Sequence, residues 1–454
     1  MPERDVRISI ELGATNTDVV ALDDRDYVLT KATLPLEREV GARIRGAIRA
    51  ATAQAQPPAE RVTHAMLGTT AEIDAVLARR AFGCVGVVRI GGPLTNAAPP
   101  LVGWPASLRQ ALSGGQAIVK GGADVDGRVQ PLDEEAVLRF LTTVAGRVEG
   151  VAVTGVFSPV APEQELAVAE LARRELGADV HASLSHEIGS LGLLERENAT
   201  ILNAGLIGEA QRLATTFREA LGAEGVDAER FFARNDGTVM AIEYARRFPA
   251  LLVGSGPAGG IRAAAFLSGV GDGFVIDVGS AVATIGALVN GHPRESATDR
   301  ALAGVPVNLR LPDVFTVPLH GDAAAVHARL AEAYARAQGT LAAPTVVAIG
   351  GAPGLVTDAL AGICEVIRPV HADVANAIGS AIAPVSGRAE RICSNRPRDR
   401  SRTLEEARAA AVERAVGAGA HPAGVEIVDV EEVPLSHMID RAIRIRVTAV
   451  GPRS

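Results

Sequence analysis

Two short stretches carry the residues best suited to chemistry, and they share one layout. In ISIELGATNTDVVAL, the turn Gly13, Ala14, Thr15, Asn16 and Thr17 separates two apolar runs and is flanked by Glu11 and Asp18. Small residues at a hairpin tip let main-chain amides point at an anion, and hydroxyls add donors. Carboxylates beside such a tip can hold a hydrated metal ion next to bound phosphates. In VIDVGSAVATIGAL, Asp277, Gly279 and Ser280 stand at the same relative places. Each stretch alone is equally well described as a plain hairpin with a solvated tip. The duplication favours a clamp, in which two hairpins facing across a cleft grip a nucleotide from both sides.

Other motifs carry less. Gly254-Ser255-Gly256-Pro257-Ala258-Gly259 satisfies GxGxxG, with Asp277 about 20 residues beyond, as a dinucleotide fold wants. The run before it is short and follows a proline, and the motif does not open a βαβ unit, so a helix start able to meet a phosphate is the better reading. Lys31 and Lys120 are the only lysines, and neither completes a Walker A loop; no GxSxG elbow occurs. The pairs His181/His186 and His320/His327 lack the i, i+4 spacing of two metal ligands on one helix face. Glu195 to Asn198 open a long helix, where capping and an exposed face compete with a cleft-facing role for Glu197 or Asn198.

These residues need a scaffold, and strand-like and helix-like segments alternate in the manner of a layered α/β protein. An antiparallel meander is expected at 6–12, 17–23 and 26–34, then helices near 38–56 and 71–81 with strands at 63–67 and 84–88. The Gly- and Pro-rich segment 91–122 reads as loops around a short helix. A strand at 151–157, a helix at 162–176, a strand near 179–183 and a long helix at 195–221 follow. The meander signature returns at 273–290, closed by the hairpin signal Asn290-Gly291. A helix at 322–338, a strand at 345–351 and a helix at 373–384 come next. The charged run 394–403 reads as a solvated linker before a C-terminal appendage of one helix (403–418) and two strands (425–433 and 441–450).

The 454 residues suffice for two or three domains, and 48% hydrophobic with 22% charged residues excludes a disordered or coiled-coil chain. Aromatic residues are only 3%, so Val, Ile, Leu and Ala must fill the core. A formal charge of 45 − 53 = −8, without a basic block, excludes a nucleic-acid footprint. Three widely spaced cysteines, Cys84, Cys364 and Cys393, fit neither a disulfide framework nor a zinc knuckle and suit a reducing cytoplasm. A charged N-terminus, MPERDVRISI, and no apolar run of about 18 residues lead us to expect neither export nor a membrane span.

Together the motifs resemble the hydantoinase/oxoprolinase family, in its hydantoinase A-like branch. The resemblance rests on the GGTNTD-like turn, LGTTAEIDAVLARR, SLSHEIGSLGLLERENATILNAGL, RNDGTVM, GSGPAGGIRAAAFLSG, IDVG, AIGGAP and RIRVTAVG, and it covers nearly the whole chain. It implies two actin-like (ribonuclease H-like) ATPase domains around a nucleotide cleft, with a C-terminal helix-plus-strands appendage. The implied divisions are 1–190, 191–393 and 394–454. It further implies a cytoplasmic hydrolase of C–N bonds that uses ATP and Mg²⁺ to open a small cyclic amide, such as a hydantoin, oxoproline or lactam, through a phosphorylated intermediate. An oligomer with a hydantoinase B-like partner subunit belongs to the same implication. By resemblance, Gly13, Thr15, Asn16, Thr17 and Asp18 form the first phosphate loop and Gly279 and Ser280 the second. Glu11, Asp18 and Asp277 are the catalytic acids, Glu11 and Asp18 the metal holders, and Gly350 and Gly351 the adenosine-contacting turn.

The sequence also departs from the family. The family's second loop reads like DVGGTTTDI, whereas Gly279 is followed here by Ser280-Ala281-Val282-Ala283-Thr284, so hydroxyls and a carboxylate are missing. Glu11 replaces an Asp, and Ala14 adds a Cβ at the first tip. Leu319-His320-Gly321-Asp322 runs straight into a helix where a longer insertion is usual. A nucleotide-binding or structural subunit that has lost turnover is the competing reading.

Overall fold

The computed structural model describes residues 5–55, 61–79, 81–123, 128–177, 179–296, 300–320, 323–338, 345–357, 365–394, 396–435 and 442–454. Gly321, Asp322 and Cys364 lie outside these residues.

Three main sheets organise the chain. The largest has nine strands, in the order Glu426–Pro434, Ala442–Gly451, Val385–Ser394, Val239–Ala241, Glu229–Ala233, Val62–Gly68, Val6–Leu12, Asn16–Asp23 and Val28–Pro35. The expected N-terminal meander therefore forms one edge, and the two strands of the C-terminal appendage extend the other. Their sequence explains the docking: Ile443, Ile445, Val447 and Ala449 alternate inward, and bury against Ala407, Ala411 and Ala415 of helix Pro397–Gly417. Segment 397–403 belongs to that helix, which corrects the linker reading of 394–403. Its proline occupies the first turn, where a missing N–H costs nothing, and pairs such as Arg402 with Asp399 (3.8 Å) and Glu406 (3.7 Å) lace its polar face. Charge without apolar periodicity conceals only the first turns of this helix, expected at 403–418, which buries a narrow stripe of alanines.

The second sheet contains His292–Pro293, Val282–Val289, Gly273–Val278, Thr345–Gly350 and Glu365–Ile367, with Val314–Pro318 paired on Val282–Val289. One face, with Phe274, Ile276, Ile285 and Val346, packs on helix Ala323–Gln338 through Leu330 and Tyr334. The opposite face meets helix Ser255–Ser268, which together with helix Ala375–Ile382 fills the space between the two large sheets. These helices touch backbone to backbone: a Cβ on Gly379 would lie 2.0 Å from the carbonyl oxygen of Gly259.

The third sheet is parallel, in the order Ser113–Lys120, Val85–Gly92, Gly150–Gly155 and His181–Leu184, with its own core around Val88, Val137, Leu141, Val153 and Val168. Strand Ser113–Lys120 corrects the loop reading of 91–122: SGGQAIVK shows little alternation and finds its ladder only beside a distant strand. Helix Leu193–Ala223 joins this sheet to the rest. Glu197 accepts from Arg89 Nε at 2.8 Å, and both side chains are fully buried. Asn198 accepts from Trp104 Nε1 at 2.8 Å and donates to the Pro306 carbonyl at 2.9 Å. Both residues are engaged in lobe packing, which answers the question of a cleft-facing role. Among the described residues no helix is long and apolar enough to cross a membrane.

Candidate nucleotide site

The first hairpin pairs Glu11 with Asp18 and Leu12 with Thr17. Directly opposed residues share a face, so the pleat sends Glu11 and Asp18 to one side of the sheet and Thr17 to the other. Asp18 accepts from Asn16 Nδ2 at 2.8 Å and from Thr33 Oγ1 at 2.7 Å. Thr17 is fully buried behind the turn, where its hydroxyl accepts from Arg43 Nε at 3.0 Å. Arg43 also donates to the carbonyls of Gly13 (2.6 Å) and Asn16 (3.0 Å) and to Glu72 (2.9 Å). Thr17 thus shapes the turn from the back, and Thr15 stands exposed at its tip. Neither this turn nor the second uses a left-handed residue, so the Cβ of Ala14 introduces no strain.

The second hairpin pairs Asp277 with Thr284, and the Gly279 N–H donates to the Val282 carbonyl at 3.0 Å across the turn. Its tip meets the first one: Thr15 Oγ1 and Ser280 Oγ lie 2.8 Å apart. Gly350, at φ +92, ends the neighbouring strand; a Cβ there would lie 2.5 Å from Asp277 Oδ1, so glycine is what admits the carboxylate. Gly351 follows as an exposed residue.

Three carboxylates lie behind the tips. Burial, reinforced by the charges of Asp18 and Asp277, pushes the Glu11 carboxyl up to about 8, against a hydrogen bond from Thr70. Burial also raises Asp18, despite its bonds from Thr33 and Asn16, and Asp277, despite Asn376 Nδ2 at 3.1 Å. Glu11 Oε2 is buried without a hydrogen-bond partner. The carboxyl lies over Gly68 of the adjacent parallel strand, where a Cβ would fall 1.6 Å from Oε2. The methylene that distinguishes Glu from Asp is therefore housed by a glycine.

Glycines Gly254 and Gly256 do not open a dinucleotide fold. The segment before the helix is the 3-10 turn Pro249–Leu252, with no strand to complete a βαβ unit. Instead the Gly256 N–H donates to Thr70 Oγ1 at 2.7 Å, which ties the helix start to the residue beside Glu11.

No group of three or more His, Cys, Asp or Glu among the described residues forms a metal cage. The acids here suit a different arrangement: Mg²⁺ keeps several waters and takes one or two protein carboxylates plus substrate phosphates. Three acids raised chiefly by burial, and an unsatisfied buried oxygen, leave a local deficit of positive charge, which such a cation would relieve. Glu11 and Asp18, on one face and directly opposed, fit that role.

Arg43, Thr70 and Asn376 join the site without belonging to any of its sequence motifs. Arg43 had a signal: it lies on the apolar face of helix Val40–Ala55, beside Ile44 and Ala47, where an unpaired charge would be costly. Thr70 and Asn376 had none, since each matters only through a partner remote in sequence.

The profile of the hydantoinase/oxoprolinase N-terminal region matches residues 7–176, and that of hydantoinase/oxoprolinase matches residues 196–369. Between them they account for most of the chain. The chain belongs to the hydantoinase/oxoprolinase family. Its fold is that of solved relatives with ATP-dependent chemistry. It is similar to the ATP-dependent caprolactamase from Pseudomonas jessenii, with a TM-score of 0.79 and 14% identity over 98% of this chain and 87% of that one. It is similar also to acetone carboxylase in its nucleotide-free form, with a TM-score of 0.70 and 14% identity over 99% and 88%. This family likeness confirms the actin-like α/β architecture implied by the motifs. An uncharacterized protein of Methanocaldococcus jannaschii is 27% identical over 176 residues, 37% of this chain and 26% of the relative, so the match spans about a quarter of that protein's length.

Proposed function

We propose that this family member binds ATP between the two hairpins and uses it to open a small cyclic amide by hydrolysis. The observation that carries the reading is the meeting of two hairpin tips, Thr15 to Ser280, in front of Glu11, Asp18 and Asp277. ATP would phosphorylate the amide oxygen and release ADP, making the ring carbon electrophilic. Water would add, the C–N bond would break with a proton going to the ring nitrogen, and a second water would hydrolyse the acyl phosphate to carboxylate and phosphate, with Mg²⁺ offsetting the phosphate charge. Thr15, Ser280 and the main-chain amides of residues 13–16 and of Ser280 supply donors from both sides. Arg43 fixes the first turn so that these donors need no reorganisation. Asp18 and Glu11 hold the cation, Asp277 orients water or metal from the facing lobe, and Gly350 and Gly351 border the adenosine. Domains divided at 1–190, 191–393 and 394–454, and a hydantoinase B-like partner in an oligomer, complete the proposal.

A second reading has its own support. The second tip offers only Ser280 as a hydroxyl, beside exposed Ala281 and Val282, and Thr284 faces Asp277 where a carboxylate is usual. On this reading the chain binds nucleotide as a subunit without turnover. Isothermal titration with ATP and Mg²⁺, for the natural chain and for Asp18→Ala, tests the common core of both. Mg²⁺-dependent binding lost in the variant supports it, and no binding refutes it; turnover of hydantoins or lactams then separates the two.

A further inference from the structure

A well-defined cavity of about 130 Å³ lies away from the hairpins. None of Glu11, Asp18, Asp277, Thr15 or Ser280 lines it. It opens where the third sheet hands over to the long helix, between segment 308–310 and strands Val385–Ser394 and Ala442–Gly451. Its walls are of two kinds. One is aromatic and aliphatic, with Tyr244 and Phe248 in ring contact at 4.7 Å beside Leu251 and Leu309. The other presents five arginines, at 234, 310, 388, 414 and 446, against two glutamates, Glu187 and Glu390.

Both glutamates are already engaged, Glu187 by Arg247 at 2.5 Å and Glu390 by Arg446 at 2.5 Å. Arg234 and Arg388 flank the buried Asp236, each at 3.6 Å, and against the upward push of burial they hold its carboxyl well below the ordinary range. Arg310 and Arg388 share Glu295. Arg414 is different: its hydrogen bond is to the Arg388 carbonyl at 2.8 Å, and no carboxylate pairs with it among the described residues. Three lining side chains also carry a buried polar atom without a hydrogen-bond partner: Arg234 Nε, Arg388 Nε and Asn308 Oδ1. Of these, the two arginine nitrogens are donors and the Asn308 oxygen an acceptor; two unsatisfied buried donors beside the unpaired Arg414 are costly, and an anion would relieve them. The apolar wall requires that the anion have a hydrophobic body.

We infer that this cavity is a second ligand site, selective for a small amphipathic carboxylate whose anionic end meets the arginine wall around Arg414 and whose apolar body packs on Tyr244 and Phe248. The inference stands apart from the nucleotide reading, although hydrolysis of a ring amide would create a carboxylate of this class.

The test is isothermal titration of the full chain, without nucleotide, using 3-phenylpropanoate and its uncharged isostere 3-phenylpropanamide. The carboxylate should bind at one site, and the amide at least tenfold more weakly, as expected for loss of a charge-assisted bond. Arg414→Gln, at a half-buried helix position, should weaken the carboxylate about tenfold, with only the modest fall in thermal midpoint that loss of its bond to the Arg388 carbonyl entails. Thr448→Tyr, which fills the cavity from the strand face shared with Arg388, should abolish binding. Equal affinity for the amide, binding that survives both substitutions, or no heat with the carboxylate at millimolar concentration overturns the inference. ATP titration of the same samples reads the hairpins separately, so the failure of one proposal leaves the other visible.

Discussion

Thr15 and Ser280, 265 positions apart in sequence, place their hydroxyls within 2.8 Å of each other. Each is the exposed tip of its own hairpin on its own sheet, so this contact spans the two sheets. Thr15→Val combined with Ser280→Ala removes both donors while altering only exposed positions. Stability in urea should stay within about 0.5 kcal/mol, and affinity for ATP with Mg²⁺ should fall at least tenfold. Unchanged affinity would show that the tips do not touch nucleotide.

Glu11 should make the protein less stable as pH rises. Its folded carboxyl is raised from 4.5 to about 8, chiefly by burial. Between those values the unfolded chain has released a proton that the folded chain keeps, so stability is greatest below 4.5 and is lost progressively up to about 8. Urea midpoints in chelator across this window should decline for the natural chain. In Glu11→Gln the decline should be flatter by on the order of a few kcal/mol. An identical slope in the variant would refute the assignment.

Gly68 and Glu11 should behave as a coupled pair. Gly68→Ala puts a Cβ 1.6 Å from the present position of Glu11 Oε2, an overpacking that costs about 1–3 kcal/mol. Glu11→Asp withdraws the carboxyl by a methylene and should recover most of that loss, giving a coupling energy above about 0.5 kcal/mol in a double-mutant cycle. Additive effects would mean that the carboxyl does not lie over Gly68.

Arg43→Met should loosen the first turn. It removes charged donors from the Gly13 and Asn16 carbonyls and from Thr17. A loss of about 2 kcal/mol in urea unfolding is expected. ATP affinity should fall in parallel, because the turn's amides are no longer held in place. Arg43→Lys restores charge without the fork, and should recover only part of the loss.

What the sequence disclosed and what it withheld divide along local and non-local lines. Both hairpins were legible, because a strand, a small-residue turn and a returning strand are written in consecutive residues. Asp277 opposite Thr284 and Glu11 opposite Asp18 follow from that register. The destination of strands 426–434 and 442–451 was not legible: their alternation says that one face is buried, but not against which sheet. Helix Pro397–Gly417 was partly hidden by its charges, and strand Ser113–Lys120 by its glycines. The GxGxxG spacing pointed to phosphate chemistry, whereas Gly259 and its neighbours chiefly allow two helices to meet backbone to backbone.

The nine-stranded sheet has a consequence for how the molecule is made. Strands Val6–Leu12, Val62–Gly68 and Val239–Ala241 leave the ribosome long before Val385–Ser394, Ala442–Gly451 and Glu426–Pro434, which complete the same sheet. Throughout synthesis of the second lobe, the nascent chain carries an open β-edge at Val239–Ala241, a surface that invites pairing with other chains. Premature termination before strand Val385–Ser394 would leave that edge permanently bare. Truncated products should accordingly be substrates for chaperones and proteases, rather than shorter folded forms of the protein.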